Sequence, residues 1–372
     1  WKFDAISSFK IRAAYGATGN QPPANAKYTS LVGSNIDGRA GLIPSRRRGS
    51  ADIRPERTVE FETGADVVFL NGRASLELTY YRQNITDLFL IAALPPSSGF
   101  TEEFINGGSM RTQGFEASLA FTPIQTKTFR WFGRLNFFKT SSVITQLTTD
   151  PFNKGGFATF LGTFRIEEGL SPTSIIGADV DANGNTIILG DAQPDFQMSF
   201  NSDFNFKFGF GDFSFYFLWD WRQGGKVINL GKLLTDLGGT SADYEDPATA
   251  ENLHLPENGT VKESDVAGMT LGPARLNLLG RTTAPYVEDG TFLKLRELSL
   301  TYNLPKQWIS SHLPNVSYVR IGLSGRNLLM FTRYSGYDPE VSQFGNVAIG
   351  RAIDTIPYPS SRSFHLNLSV GL

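Results

Sequence analysis

Ten segments of this chain alternate apolar and polar residues with a period of two, and this alternation constrains the fold more than any other feature. In the clearest segment, 196–208, the even-numbered residues are all Phe or Met except Ser202, and the odd-numbered residues are polar. A period of two places successive side chains on opposite faces of a β-strand. An all-β fold is therefore predicted. The other segments lie at 9–15, 59–69, 73–80, 115–121, 131–137, 213–222, 291–302, 319–324 and 363–372.

The links between these segments alternate strictly between short and long. The short links lie at 71–72, 122–128, 209–212 and 303–317. In an antiparallel meander, such alternation places all long links at one end of the sheet. Outer-membrane β-barrels have this layout, with short periplasmic turns and long extracellular loops. We therefore predict an up-and-down transmembrane β-barrel whose extracellular loops are 16–57, 87–111, 141–194, 223–290 and 328–360.

Strand length and aromatic positions favour the same fold. A tilted membrane strand needs about 9–11 residues, which most of the segments provide. In segment 291–302 the apolar phase slips between Leu295 and Leu298, which predicts a β-bulge. Aromatic residues near strand ends predict interfacial girdles; they are Tyr15, Tyr80, Tyr81, Phe121, Phe129, Trp219, Trp221 and Tyr302.

Composition excludes several other classes of protein. Lys and Arg total 34 and Asp and Glu total 36, a balance that argues against a nucleic-acid partner. Cysteine is absent, and the three histidines are far apart, so thiol, Cys–zinc and histidine-triad chemistry are not expected. No apolar run reaches the 18 residues of a transmembrane helix.

Ten strands could close into a small barrel, but the long loops suit a wider one. About eight strands already enclose little more than side chains or one small ligand. The chain also begins at Trp1 without an initiator Met. We therefore expect that more strands precede this chain in a longer protein.

Six motifs resemble those of SusC/RagA-type TonB-dependent outer-membrane proteins. Two of them are SSFKIRAAYGATGNQ at 7–21 and YVEDGTFLKLRELSLTYNLP at 286–305. The other four are the hairpin 57–90, the strand entry 190–206, GRNLLMFTRYSGYDPEV at 325–341 and YPSSRSF at 358–364.

This resemblance implies a barrel of about 22 strands with a plugged lumen. Residues 1–372 would be the C-terminal portion of one barrel domain, with the plug and N-terminal domain outside this chain. It further implies an importer of oligosaccharides or peptides that is not an enzyme. The implied partners are a SusD-like surface lipoprotein, the TonB–ExbB–ExbD complex, lipid and lipopolysaccharide, and a second transporter–lipoprotein pair in a dimer.

Three groups of residues are candidates for sites. Asp179, Asp181 and Asn183 resemble the first half of a calcium loop, although Gly190 stands where a bidentate Glu is expected, and a tight turn explains the same residues. Arg46–Arg48 could contact lipopolysaccharide phosphates, an acidic substrate or the lid protein, or could simply be solvated. Asp338 and Glu340 could act as an acid–base pair or serve as loop structure. Charges expected on the lumen face are Lys10, Arg12, Glu60, Glu62, Asp66, Arg73, Glu77, Arg134, Asp203, Asp220 and Arg320.

Other functions remain open on the sequence. A passive porin-like channel would have no plug, and an outer-membrane hydrolase would need a catalytic cluster at the mouth. A soluble carbohydrate-binding β protein would not carry outward apolar stripes. The choice between a glycan and a peptide substrate also stays open.

Overall fold

A computed structural model describes residues 6–340, 342–345 and 351–372. Ten strands form one antiparallel sheet in which each strand pairs with the next along the chain, which confirms the predicted up-and-down order. Within the described residues, the first and last strands are the edges of this sheet. The strands are β1 Ile6–Asn20, β2 Glu56–Phe69, β3 Ala74–Thr86, β4 Gly108–Gln125, β5 Phe129–Leu147, β6 Phe196–Phe208, β7 Gly211–Gln223, β8 Phe292–Asn303, β9 Tyr318–Thr332 and β10 Ser363–Gly371.

The register gives the sheet one apolar and one polar face. Phe204 of β6 lies opposite Trp131 of β5 and Phe215 of β7, so aromatic side chains continue from strand to strand. On the other face, Arg12 of β1 donates to Asp66 of β2 at 3.0 Å. This division is expected of membrane strands, whose outer face meets lipid and whose inner face is wet.

Aromatic residues lie at both ends of the apolar face. At the short-turn end, Phe213 stacks on Tyr302 with ring centroids 4.6 Å apart. At the long-loop end, Phe196 meets Trp221 edge-on at 5.0 Å. The ten residue steps from Phe196 to Phe206 cover roughly 33 Å of strand, which a tilt reduces to about the height of a membrane barrel's apolar band.

Ser202 is the one polar residue in the apolar stripe of β6, and it is fully buried. Trp131 Nε1 donates a hydrogen bond to Ser202 Oγ at 2.7 Å, so the indole N–H is satisfied on a face that water does not reach. Gly133 lies opposite Ser202 in the register. A Cβ at Gly133 would come within 2.6 Å of the Phe121 ring, so glycine makes room for that ring.

The short link at 71–72 forms a tight turn. Asn71 and Gly72 have φ of 55° and 82°, as a type I′ turn requires. Arg73 N donates to Leu70 O at 3.2 Å and closes the turn.

Two side chains lie elsewhere than predicted. Tyr81 lies on the polar face, with its hydroxyl 2.7 Å from Thr140 Oγ1, because the adjacent Tyr80 occupies the apolar face. Arg73 is in the turn before β3 and not on the lumen face, and its Nε donates to Thr122 O at 3.0 Å.

The links between the strands of the sheet carry secondary structure of their own. Helices α1 Leu230–Leu237 and α2 Leu271–Asn277 lie between β7 and β8, and α3 Lys306–His312 lies between β8 and β9. In the described part of the chain, no helix is both long and apolar enough to span a membrane. The short loop strands are Leu31–Ile36, Arg39–Pro44, Arg47–Arg48, Phe89–Ala93, Glu102–Asn106, Phe152–Lys154, Thr163–Ile166, Ser174–Val180, Thr186–Asp191, Lys226–Asn229, Val287–Asp289 and Ile353–Asp354. The described residues also form 3-10 turns at Pro96–Ser98, Thr159–Leu161, Glu263–Val266 and Ala284–Tyr286.

The hydrophobic core of this chain lies mainly in its loops. One cluster joins Phe164, Ile175, Ile228, Tyr286 and Ile353, which come from three different long loops. By contrast, apolar side chains of the sheet are open, and Leu366 of β10 is 72% exposed. The sheet's apolar face is therefore built for lipid, and the loops are built as a folded unit.

Candidate functional site

The candidate site is the long-loop end of the sheet, where three loops fold together. Strand Lys226–Asn229 pairs antiparallel with Val287–Asp289 and parallel with Ile353–Asp354. The parallel pairing connects the loop after β9 to the loop between β7 and β8. Such backbone pairing fixes the position of the polar side chains at the mouth.

A buried ion pair holds the loop between β7 and β8. Arg275 of α2 and Asp236 of α1 are each 1% exposed, and Arg275 Nε donates to Asp236 Oδ2 at 2.7 Å. Arg275 Nη2 also donates to Asp243 Oδ1 at 2.8 Å. Burial by itself would raise the pKa of Asp243, but hydrogen bonds from Arg275 and the charge of Lys232 outweigh it and hold that pKa below its usual value.

Glu288 connects this loop to the last one. Its carboxylate accepts hydrogen bonds from Ser335 N at 2.8 Å and from Ser335 Oγ at 2.7 Å. Asn229 Nδ2 donates to it at 3.1 Å, and Lys232 Nζ lies 3.3 Å from it. The buried carboxylate is therefore satisfied by partners from two loops.

The last long loop is fixed onto the polar face of the sheet by a group of charges that we call the clamp. It consists of Lys294, Arg296, Asp338, Glu340 and Asp220. Lys294 Nζ lies 2.6 Å from Asp338 Oδ1 and also contacts Glu340. Arg296 Nη2 lies 2.6 Å from both Glu340 Oε1 and Asp220 Oδ2.

The predicted bulge in β8 positions the clamp. Leu218 pairs with Glu297 and Trp219 with Leu295, so Arg296 is the extra residue. A bulge bends its strand and redirects the side chain, as happens beside functional sites in other sheets. The slip in apolar phase detected this bulge, but nothing in the pattern indicated the partners of Arg296.

Asp338 and Glu340 are not free to act as an acid–base pair. Burial would raise both pKa values, yet the hydrogen bond and charge of Lys294 lower the pKa of Asp338, and those of Arg296 and Lys294 lower the pKa of Glu340. Two carboxylates held ionised by cations lack the raised pKa of a general acid. The structural interpretation of this motif is therefore favoured.

Two cavities open among these loops. One, of about 490 Å³, separates β6 and β7 from the last loop and is lined by Gln197, Arg222, Glu340 and Arg351 among others. The other, of about 380 Å³, lies beside α1 and is lined by Lys232, Thr240, Asp243, Tyr337 and neighbouring residues. Arg222, Lys294 and Arg296 were missed by the sequence reasoning, although the alternating pattern assigns Lys294 to the polar face.

The three predicted calcium residues have protein partners. Asp181 Oδ1 accepts from Asn183 N at 2.8 Å and from Asn185 N at 2.9 Å, which closes a tight turn. Asp179 Oδ2 accepts from Thr283 N at 2.7 Å in another loop. Among residues 6–340, 342–345 and 351–372, no group of three His, Cys, Asp or Glu could hold a metal ion. Calcium at Asp179, Asp181 and Asn183 stays a prediction.

The arginine run of the first loop joins two loops. Arg47 lies 2.7 Å from Glu102 and Arg48 lies 2.6 Å from Glu103. The Arg47 guanidinium also lies over the Phe104 ring at 5.0 Å. Two of the three arginines are therefore engaged in loop structure.

Comparison with known proteins agrees with this architecture. The family model "TonB dependent receptor-like, beta-barrel" matches residues 1–328. TonB-dependent receptor P3 of Formosa agariphila is 27% identical over 99% of this chain and 40% of its own length. TonB-dependent receptor SusC of Bacteroides thetaiotaomicron is 25% identical over 99% of this chain and 38% of its own length. The chain thus spans about two fifths of the length of these relatives.

Solved structures show the same fold. The RagAB peptide transporter superposes with a TM-score of 0.73 at 22% identity, over 99% of this chain and 41% of that chain. RagAB in the "open-open" state gives a TM-score of 0.71 at 21% identity, over 100% of this chain and 41% of that chain. The match to residues 1–328 establishes that this chain belongs to the TonB-dependent receptor β-barrel family of outer-membrane proteins, which are not enzymes.

Proposed function

We propose that this chain supplies part of the barrel wall and the extracellular loops of an active outer-membrane importer of oligosaccharides or peptides. A SusD-like surface lipoprotein covers the extracellular mouth and delivers substrate. The TonB–ExbB–ExbD complex supplies energy through a part of the protein that this chain does not include. The names of two relatives, SusC and the RagAB peptide importer, support this proposal.

The observation that carries the proposal is the clamp. Lys294 and Asp338, 2.6 Å apart, are part of the charge group that holds the last loop against the polar face instead of leaving it in solvent. A loop fixed at the mouth narrows the passage, which suits a receptor that selects its solute better than an open pore. Substrate contacts are proposed within the loops 16–57, 87–111, 141–194, 223–290 and 328–360.

Uptake by cells tests the proposal. The full-length gene is deleted and restored in its own host, and entry of fluorescent oligosaccharides and peptides is measured with and without a proton ionophore. We expect uptake of one class that disappears with the deletion and with the ionophore. Uptake that survives the ionophore would identify a passive channel, and cleavage of the oligomer by the purified protein would identify a hydrolase.

The partner is tested separately. The receptor is purified from outer membranes in mild detergent, and the co-purifying chains are identified by mass spectrometry. We expect a surface lipoprotein in equal amount. A receptor that purifies alone under several mild conditions would contradict the lid.

Calcium binding is tested by calorimetry on the chelator-stripped receptor. A site at Asp179, Asp181 and Asn183 would give saturable heat on calcium addition, and Asp181→Ala would abolish that heat. No heat from the unaltered receptor would end the hypothesis.

A further inference from the structure

The cleft of about 490 Å³ separates the sheet from the last long loop beside the clamp. Gln197 of β6 and Arg222 of β7 line the cleft on the side of the sheet. Glu340 and Arg351 line it on the side of the last long loop. The cleft therefore lies where a solute would pass from the loops to the lumen.

Arg222 has few partners for a half-buried guanidinium group. Its Nη2 donates to Ala192 O at 2.9 Å, whereas its Nε is buried without a hydrogen-bond partner. Among the residues that the structure describes, Arg222 forms no ion pair. A desolvated cation without a counterion costs free energy, which a bound anion would offset.

Arg351 supplies a second cation to the same cleft. Arg351 is exposed, and it makes neither a hydrogen bond nor an ion pair with any residue in 6–340, 342–345 or 351–372. Residues 346–350 are Asn-Val-Ala-Ile-Gly and include no carboxylate.

Glu340 is the one carboxylate among the described residues that line the cleft. Lys294 and Arg296 contact its two oxygens, and Glu340 forms no ion pair with Arg222 or Arg351 in the described structure. The cleft is thus left with two guanidinium groups and without a free acid of its own. Glu340 and Asp289 act on Arg222 electrostatically, but neither forms an ion pair with it in the described structure.

We propose that this cleft binds a carboxylate of the transported oligomer, with Arg222 and Arg351 as its charged partners and the Gln197 amide as a further donor. Guanidinium groups suit carboxylates because they present paired N–H donors. The same group occurs in acidic peptides and in uronate oligosaccharides. The inference rests on the proposed import function and adds a substrate class to it, namely acidic oligomers.

Calorimetric titration of the full-length receptor in detergent tests the cleft with matched probes. The probes are tri-glutamate against tri-glutamine, both N-acetylated and C-terminally amidated so that only the side chains differ in charge, and trigalacturonate against its methyl ester. We expect one acidic probe to bind at least about tenfold more tightly than its neutral partner, since hydrogen bonds to charged groups are the stronger ones. Binding of tri-glutamate alone identifies a peptide carboxylate, and binding of trigalacturonate alone identifies a uronate.

Three variants and a control assign the effect to the cleft. Arg222→Gln and Arg351→Gln should each weaken acidic binding about tenfold. Arg222→Lys keeps the charge but lacks the paired N–H donors, so it should retain only part of the binding. Arg39→Gln, on an exposed hairpin outside the cleft, should change nothing. Because Arg351 is exposed, its variant should fold even if Arg222→Gln does not, which heat-modifiability on gels will show.

Two results would overturn the cleft assignment: neither acidic probe binds, or both arginine variants bind like the parent receptor. A receptor that binds the acidic probe through these arginines but fails in the ionophore-sensitive uptake assay would contradict the import function and leave the cleft intact.

Discussion

Arg296 Nη2 and Glu340 Oε1 lie 2.6 Å apart and join a bulge in β8 to the last long loop. The two residues are 44 positions apart in sequence, and Asp220 on β7 shares the same guanidinium group. The relationship ties the wall of the sheet to the loop that lies over its polar face. Two predictions, on the Arg296 side chain and on acid pH, rest on this contact.

Replacing Arg296 should release the last long loop from the polar face of the sheet. Arg296→Met keeps the length of the side chain but leaves Asp220 and Glu340 without their shared cation. We expect a several-fold rise in ion leak through the full-length receptor in planar bilayers. Arg281→Met, which breaks the exposed ion pair of Arg281 with Asp265, is the control and should leave conductance unchanged, because exposed pairs contribute little. Equal leak in both variants would refute the role of the clamp.

Acid should release the same loop. The folded-state pKa values of Asp338 and Glu340 are lowered, so their stabilising effect is present above the unfolded-state pKa of about 4 and is lost as pH falls towards the folded-state values. We expect leak conductance to stay low from pH 7 to 5 and to rise below about pH 4. Glu340→Gln should leak already at pH 7. A leak that is independent of pH would show that these carboxylates do not hold the loop.

Breaking the buried pair should unfold one loop and spare the sheet. Arg275→Met leaves Asp236 buried without its counterion, a change that costs about 3–5 kcal/mol. We expect limited proteolysis to cut within the loop between β7 and β8, while the barrel keeps its heat-modifiable migration. Loss of heat-modifiability in this variant would mean that the loop is needed for the sheet to form.

Loss of the Ser202 hydroxyl on the apolar face should destabilise the sheet more than loss of a serine hydroxyl on the polar face. Ser202→Ala leaves Trp131 Nε1 without its acceptor, which should cost about 1–3 kcal/mol in urea unfolding from vesicles. Ser214→Ala, on the polar face, removes a donor to Asn205 and should cost less, because water replaces it. If the two variants unfold at the same urea concentration, the indole hydrogen bond does not stabilise the sheet.

The Gly133 position offers an independent check on the same face. A methyl group there would lie 2.6 Å from the Phe121 ring, so Gly133→Ala should force the ring aside. We expect slower folding into vesicles and a change in Trp131 fluorescence. Gly72→Ala is not a suitable control, because Gly72 has φ of 82°; Gly33→Ala, which meets no neighbour within 4 Å, is the better one.

The sequence by itself determined the ten strands, their order, their two faces and the end at which the long loops lie. These features follow from local rules: period-two alternation sets the faces, and link length sets which strand ends meet. It also revealed the β8 bulge, because an extra residue shifts the apolar phase between Leu295 and Leu298.

Only the tertiary structure decided what the charged side chains do. The sequence pattern grouped Asp179, Asp181 and Asn183 as candidate calcium ligands. In the structure, Asp179 accepts a hydrogen bond from Thr283 in another loop, whereas Asp181 closes a local turn. Arg296 binds Glu340, which lies 44 residues further along the chain, and Ile228 pairs with Ile353 in a parallel strand pair. Such contacts join segments that are far apart in the sequence. Their partners are determined by packing and charge in three dimensions, and no pattern along the chain predicts them.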